Sequence, residues 1–304
     1  MPGAAPIDSA AVRWLTNDEL ACVRAALISD RGDALREALF QLNIHRPVTR
    51  PDGVAFAKEL GWIGDDNKPT EFGSLIRDPL REYSLWLERE GVMASGDVVP
   101  VLQREHYAGK RVIELGSGGG CNLLTLQGLD GTFIGLEPMP VYVQMMPILA
   151  ELSGKPAPAV GLGFAEDIPF ADNSFDIVLC YSSHQYMDID KALAEMTRVV
   201  ADDGRLTIIG NSLHPFTRES IERFVRTRRL GTLKYDTKAI ANTMSYQYLG
   251  RRMFHSRGAS TTGLPTYPSS SYMAKRLAEL GFAVDDELTA QLPSGETALF
   301  ARRS

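Results

Sequence analysis

Apolar positions along the chain fall into two textures. Up to about residue 105 they recur at three-to-four spacing, over Asp18–Ile28, Asp33–Leu42 and Gly53–Leu60, which predicts amphipathic helices. Lys68-Pro69-Thr70-Glu71-Phe72-Gly73 then supplies a turn and a Thr N-cap before a further helical pattern, a weak winged-helix-like signal. From Lys110 short apolar runs alternate with helical stretches, the pattern of an α/β domain with a mainly parallel sheet. The predicted strands are Arg111–Leu115, Thr132–Leu136, Ala157–Leu162, Phe175–Cys180 and Arg205–Ile209. A last pair, Phe282–Leu292 and Thr297–Arg302, flanks a Pro293-Ser294-Gly295 turn. Helices are expected over Asn122–Leu129, Val141–Leu152, Ile189–Val200 and Tyr272–Leu280. The division is therefore a mainly helical segment, 1–105, and an α/β domain, 106–304. Residues 211–270 interrupt the second part for too long to be an ordinary connection, and such insertions usually act as lids or binding elements. Within them, the Ser/Thr/Gly/Pro-rich run from Gly258 to Ser271 reads as a mobile loop.

Composition changes this picture mainly through charge. The 304 residues are 44% hydrophobic and 23% charged, ordinary for a globular chain and ample for two domains. A net charge of −6 argues against a general nucleic-acid binder. Residues 1–100 hold 11 Lys or Arg against 16 Asp or Glu, which disfavours phosphate contact. Dimer contact, giving a homodimer, or a roof over an active site suits the helical part better. Residues 211–270 reverse the sign, with 10 basic residues against Glu219, Glu222 and Asp236. The start lacks the order of a secretory signal, and no apolar run reaches the ~18 residues of a membrane span, so a cytoplasmic protein with no membrane partner is expected. Cys22, Cys121 and Cys180 are odd in number and outside any CxxC pattern, which fits a reducing compartment.

The most informative stretch is Val112-Ile113-Glu114-Leu115-Gly116-Ser117-Gly118-Gly119-Gly120-Cys121. A strand runs into a glycine turn that opens a helix, letting the backbone approach a ligand closely. A dinucleotide fingerprint would need glycine at Cys121, which weighs against a nicotinamide-dependent oxidoreductase. Glu137 ends the second strand, where a carboxylate can accept from ribose hydroxyls. Then comes Gly163-Phe164-Ala165-Glu166-Asp167 and, further on, Phe175-Asp176-Ile177-Val178. Together these blocks resemble the class I S-adenosylmethionine (SAM)-dependent methyltransferases over about residues 105–210. The resemblance implies a Rossmann-like, doubly wound sheet of seven mostly parallel strands, with SAM as cofactor. It implies Glu114 near the SAM amino end and Gly116, Gly118 and Gly120 beneath the methionine portion. It further implies Glu137 on the ribose, Pro138 and Met139 along one adenine face, and Ala165 and Glu166 along the other. Many relatives carry Asp at Phe164, so the adenine amino group must be read by Glu166, Asp167 or backbone groups here. Asp176, Cys121 and Cys180 read as structural.

Methyl transfer is an in-line displacement that needs alignment, exclusion of water and, for a hydroxyl acceptor, removal of a proton. The candidate bases are His184, in the loop after the fourth strand, and His214, after the fifth; neutral imidazole suits this role. His255 lies in the insertion, and His45 and His106 read as structural. The histidine spacing supports no metal site. Tyr181 and Tyr186 are candidates for shaping the acceptor pocket, as are Tyr246 and Tyr248 beside Arg251 and Arg252. Glu219–Arg223 and Glu222–Arg226 have ion-pair spacing on a helix. The remaining arginines favour a small-molecule acceptor, or a carrier, that is anionic. The expected reaction is methylation of oxygen or nitrogen. The alternatives are SAM cyclisation with release of methylthioadenosine, a nucleotide-sensing module without catalysis, and the oxidoreductase already disfavoured.

Overall fold

The computed structural model describes residues 13–94, 104–228, 230–254, 264–285, 289–291 and 296–304. His255, the 258–263 part of the predicted mobile loop and the Pro293-Ser294-Gly295 turn lie outside them. Ten helices and eight strands are described. The sheet order is β3-β2-β1-β4-β5-β8-β6, with the two-residue β7 (Ala290–Gln291) beside β8 (Thr297–Arg303). The first strands, β1 (Lys110–Leu115), β2 (Gly131–Glu137), β4 (Phe175–Tyr181) and β5 (Val200–Gly210), pair in parallel. β8 is antiparallel to both β5 and β6 (Phe282–Val284). This is the expected mostly parallel α/β sheet; over the predicted strand Phe282–Leu292 the described residues form β6 and the short β7.

Residue contacts divide the chain into two compact units whose boundaries differ from the division at 105. One unit comprises residues 1–106, 117–129 and 137–162; the other comprises 107–116, 130–136 and 163–304.

In the first unit, α1 (Asn17–Ile28) starts with a capping box between Thr16 and Glu19, and α4 (Glu71–Ala94) is capped by Thr70, whose hydroxyl accepts the Gly73 N–H at 3.1 Å. These helices, with α2 (Gly32–Asn43) and α3 (Pro51–Glu59), pack into a core shared with two later helices. Leu35, Trp62, Ile76, Leu80 and Trp86 share one cluster with Leu124 of α5 (Cys121–Leu126) and Met145 and Leu149 of α6 (Pro140–Ser153). The Trp86 indole N–H donates to the Thr125 hydroxyl at 2.9 Å. Such a partner offsets the cost of taking the indole N–H out of water. β3 (Ala159–Leu162) ends the unit.

The core of the second unit is built from Ile113, Val178, Leu206 and Leu299 on strands, with Leu193 and Met196 of α7 (Ile189–Val199) and Leu277 of α10 (Ser270–Glu279). Asp176 accepts the Arg111 N–H at 2.8 Å and its guanidinium at 2.7 Å, which registers β4 against β1. The 211–270 interruption contains two helices, α8 (Leu213–Thr227) and α9 (Leu230–Leu249). Phe216 stacks on Tyr267 with ring centres 3.9 Å apart. Buried Asp236 accepts the Ser220 hydroxyl at 2.8 Å and lies 3.6 Å from Arg223. Among the described residues no helix is long and apolar enough to cross a membrane.

Candidate active site

The glycine turn after β1 uses left-handed backbone at Gly116 (φ 65°), Gly118 (φ 55°) and Gly120 (φ 68°). In the first unit, a Cβ on Gly118 would collide with the Glu82 carboxylate. Glu137, 5% exposed at the end of β2, accepts the Gly118 N–H and the Met139 N–H, both at 2.9 Å. The acidic strand end therefore holds the glycine turn and the entry to α6 together. A carboxylate oxygen accepts more than one hydrogen bond, so the same group is chemically suited to a vicinal diol. Met139 is buried and Pro138 partly so.

Glu82 was not signalled by the sequence, where it looks like one more polar position on an amphipathic helix. Its Oε1 accepts the Tyr142 hydroxyl at 3.0 Å, and the Gly119 N–H donates to the same carboxylate. Loss of hydration around the carboxylate pushes its pKa up to about 7, against the opposing pull of Arg81 and these hydrogen bonds.

In the second unit, Glu114 is 1% exposed on β1. A Cβ on Gly116 would lie 2.5 Å from Ser183 Cβ, and the Ser183 hydroxyl donates to the Leu115 carbonyl at 2.8 Å. The loop after β4 thus lies directly against the first glycine. Ala165 is buried, while Glu166 accepts the Asp188 N–H at 2.7 Å at the start of α7. Phe164, where an Asp is common, is 45% exposed.

His184 is 5% exposed, and burial brings its pKa down to about 4, so the imidazole is neutral. It hydrogen-bonds the Asn211 backbone, while Nδ1 has no hydrogen-bond partner among the described protein atoms. A cavity of about 20 Å³ adjoins the ring, lined also by Ser212, Ser270, Met273 and Thr297. That is room for about one water. His214 is exposed at the start of α8. Ser182 holds a left-handed φ of 50°, unusual for a side-chain-bearing residue, and its hydroxyl donates to Glu296. The Tyr181 hydroxyl reaches the same carboxylate at 3.4 Å. Glu296, just before β8, is the second group that sequence reasoning missed, since nothing local ties it to a loop 114 residues earlier.

The pocket candidates of the insertion and the β4 loop do not stand alike. Tyr186 is 38% exposed. Tyr246 is buried in the core, where its hydroxyl accepts the Asp190 N–H at 3.2 Å, whereas Tyr248 is 76% exposed. Two residues apart on α9, they face opposite ways. Arg252 donates to the Met187 carbonyl at 2.6 Å, and Arg251 is exposed. Arg223 lies 3.9 Å from Glu219, and Glu222 lies 3.0 Å from Arg218, while the Arg226 side chain lies outside the described ones. Among the described residues no group of three His, Cys, Asp or Glu could hold a metal ion.

Residues 113–208 match the family model described as a methyltransferase domain. They form a class I methyltransferase domain. Domains of this class take SAM as methyl donor. A relative named as an uncharacterized methyltransferase from Bacillus subtilis is 32% identical over 40% of this chain and 49% of its own length. A phthiotriol/phenolphthiotriol dimycocerosates methyltransferase from Mycobacterium ulcerans is 35% identical over 51% of this chain and 52% of its own. The chain thus spans about half the length of the curated relatives it matches. Among solved structures, magnesium protoporphyrin IX methyltransferase from Synechocystis with bound S-adenosylhomocysteine (SAH) aligns with TM-score 0.48 and 13% identity. That alignment covers 76% of this chain and 88% of that one.

Proposed function

We propose that this chain is a SAM-dependent methyltransferase that moves a methyl group to oxygen or nitrogen of a small, anionic or carrier-bound molecule. The observation that supports it best is the glycine turn held by Glu137 through the Gly118 and Met139 N–H groups. A buried carboxylate fixed at that point, beside backbone without side chains, fits the ribose and methionine portions of the cofactor. In this reading Glu114, Gly116, Gly118 and Gly120 hold the amino-acid end. Glu137 holds the ribose, and Pro138, Met139, Ala165 and Glu166 border the adenine. Bound SAM supplies an already activated methyl group.

The chain's own residues have three tasks. Tyr181 and Tyr186 orient the acceptor, together with exposed Tyr248. Arg251 offers a cation at the surface to an anionic acceptor, while Arg252 and Tyr246 support the loop after β4 from beneath. A proton must leave a hydroxyl or amine acceptor, and His184 and His214 are the imidazoles proposed to take it. His184 has the advantage of a neutral ring whose Nδ1 is uncommitted among the described residues. A cytoplasmic location and a homodimer made through the helical segment complete the proposal.

Calorimetry with SAM, SAH and NADH, followed by mass spectrometry of the products of an acceptor screen, tests it. Binding of SAM and SAH with formation of SAH is expected. Release of methylthioadenosine would instead establish cyclisation, and binding of NADH alone would remove SAM from the account. His184→Gln and His214→Gln should separate the bases, with kcat falling about 10²-fold or more for the true one.

A further inference from the structure

Glu82 stands out among the ionisable groups not used above, because it reaches the glycine turn from a helix of the N-terminal segment. Its carboxylate fills the space that a side chain on Gly118 would need, and it accepts from the Gly119 N–H. The next N–H back along the chain, that of Gly118, is held by Glu137 at 2.9 Å. Two consecutive amides of the turn are thus held by two carboxylates from different elements, α4 and β2. Tyr142 of α6 fixes the first of them by donating at 3.0 Å.

We propose that Glu82 is a positioning residue of the glycine turn, through which the helical N-terminal segment sets how tightly the turn holds its ligand. This rests on the reading of the turn as the SAM site. The helical segment then completes the cofactor site besides packing against α5 and α6, and no step of methyl transfer passes through Glu82.

The physical argument lies in the strength of the hold. An ionised carboxylate accepts an amide hydrogen bond more strongly than a neutral acid, and it also favours a ligand that carries positive charge. Burial brings the Glu82 pKa to about 7, so the grip should change strength near neutrality. The titratable groups acting on it are Arg81 and Asp78 on its own helix and Tyr142 on α6; Glu137 acts in turn on Tyr142. Of these, only Arg81 favours ionisation by its charge, and the Tyr142 hydrogen bond assists it.

The test is the dissociation constant of SAM and of SAH, measured by calorimetry from pH 5.5 to 8.5 for the full chain and for Glu82→Gln. Taking the ratio of variant to wild type at each pH cancels the titration of the ligand itself. The ratio should rise from near one at pH 5.5 to about tenfold at pH 8.5. Tyr142→Phe should fold, bind, and move the wild-type inflection to higher pH, because it removes a donor to the charged form. A ratio that is the same at every pH would make Glu82 a packing residue and overturn the proposal. If wild type binds neither SAM nor SAH, the cofactor reading fails first and this inference with it.

Discussion

The glycine turn and the loop after β4 both bury ionisable groups, and they treat them in opposite ways. At the turn, Glu137 and Glu82 are met by backbone N–H donors, although at Glu82 the loss of hydration still outweighs them. Beyond β4, His184 has the Asn211 backbone on one side and no partner for Nδ1 among the described residues, and burial keeps it uncharged. The first arrangement suits holding a polar, partly cationic ligand. The second suits keeping a lone pair on nitrogen at neutral pH. Desolvation acts on Glu82 and His184 alike, raising the acid and lowering the base; only the donors around them differ.

The largest expected effect comes from removing the donors' partner. Glu137→Ala leaves two N–H groups without their acceptor, and chemical denaturation should register a loss of about 4 kcal/mol. Next is acid. The folded-state pKa of His184, about 4, lies below its ordinary 6.5, so the unfolded chain takes up this proton first as pH falls. The His184 contribution to stability should therefore be full above pH 6.5 and decline by up to about 3 kcal/mol towards pH 4. His184→Gln should flatten that limb in a pH series of melting curves. Glu82 works with the other sign. Its raised pKa contributes stability below about 4.5 that is lost as pH rises through 7; the two windows overlap with opposite slopes, so His184→Gln and Glu82→Gln, each alone, are what separate them.

Gly118→Ala combines left-handed backbone with displacement of Glu82 and should weaken SAM binding by about 2 kcal/mol in calorimetry. Gly154→Ala, with φ 66° but open space around it, is the control for backbone strain alone. The arginine pair gives the smallest and most selective contrast. Arg252→Ala should cost about 2 kcal/mol of stability, because it strips a charged donor from the Met187 carbonyl. Arg251→Ala should change stability by less than about 0.5 kcal/mol and raise acceptor KM severalfold. An unchanged KM in both variants would remove the anionic-acceptor proposal.

How much of this was legible in advance differs from element to element. The β1–turn–α5 unit was readable because its signals are local: an apolar run, then glycines where left-handed backbone is needed. The roles proposed for Tyr246 and Tyr248 were not separable while no helix was assigned around them in the 211–270 interruption. Once α9 is a helix, residues two apart must diverge, and one of them becomes core. Division of the chain at residue 105 followed a change in periodicity. The compact units follow contacts between distant stretches of chain instead, and the helices before that point share their core with α5 and α6.

The sequence by itself determined the order of strands and helices, the glycine turn, the acidic strand end and the methyltransferase resemblance. Each of these depends on residue type and spacing within one or two elements. Only the tertiary structure decided that Glu82 meets Gly119, that Glu296 meets Ser182, that Arg252 is tied to Met187 and that His184 is neutral. Those outcomes depend on which distant groups supply hydrogen bonds and which exclude water. Neither is encoded in the local period of the chain.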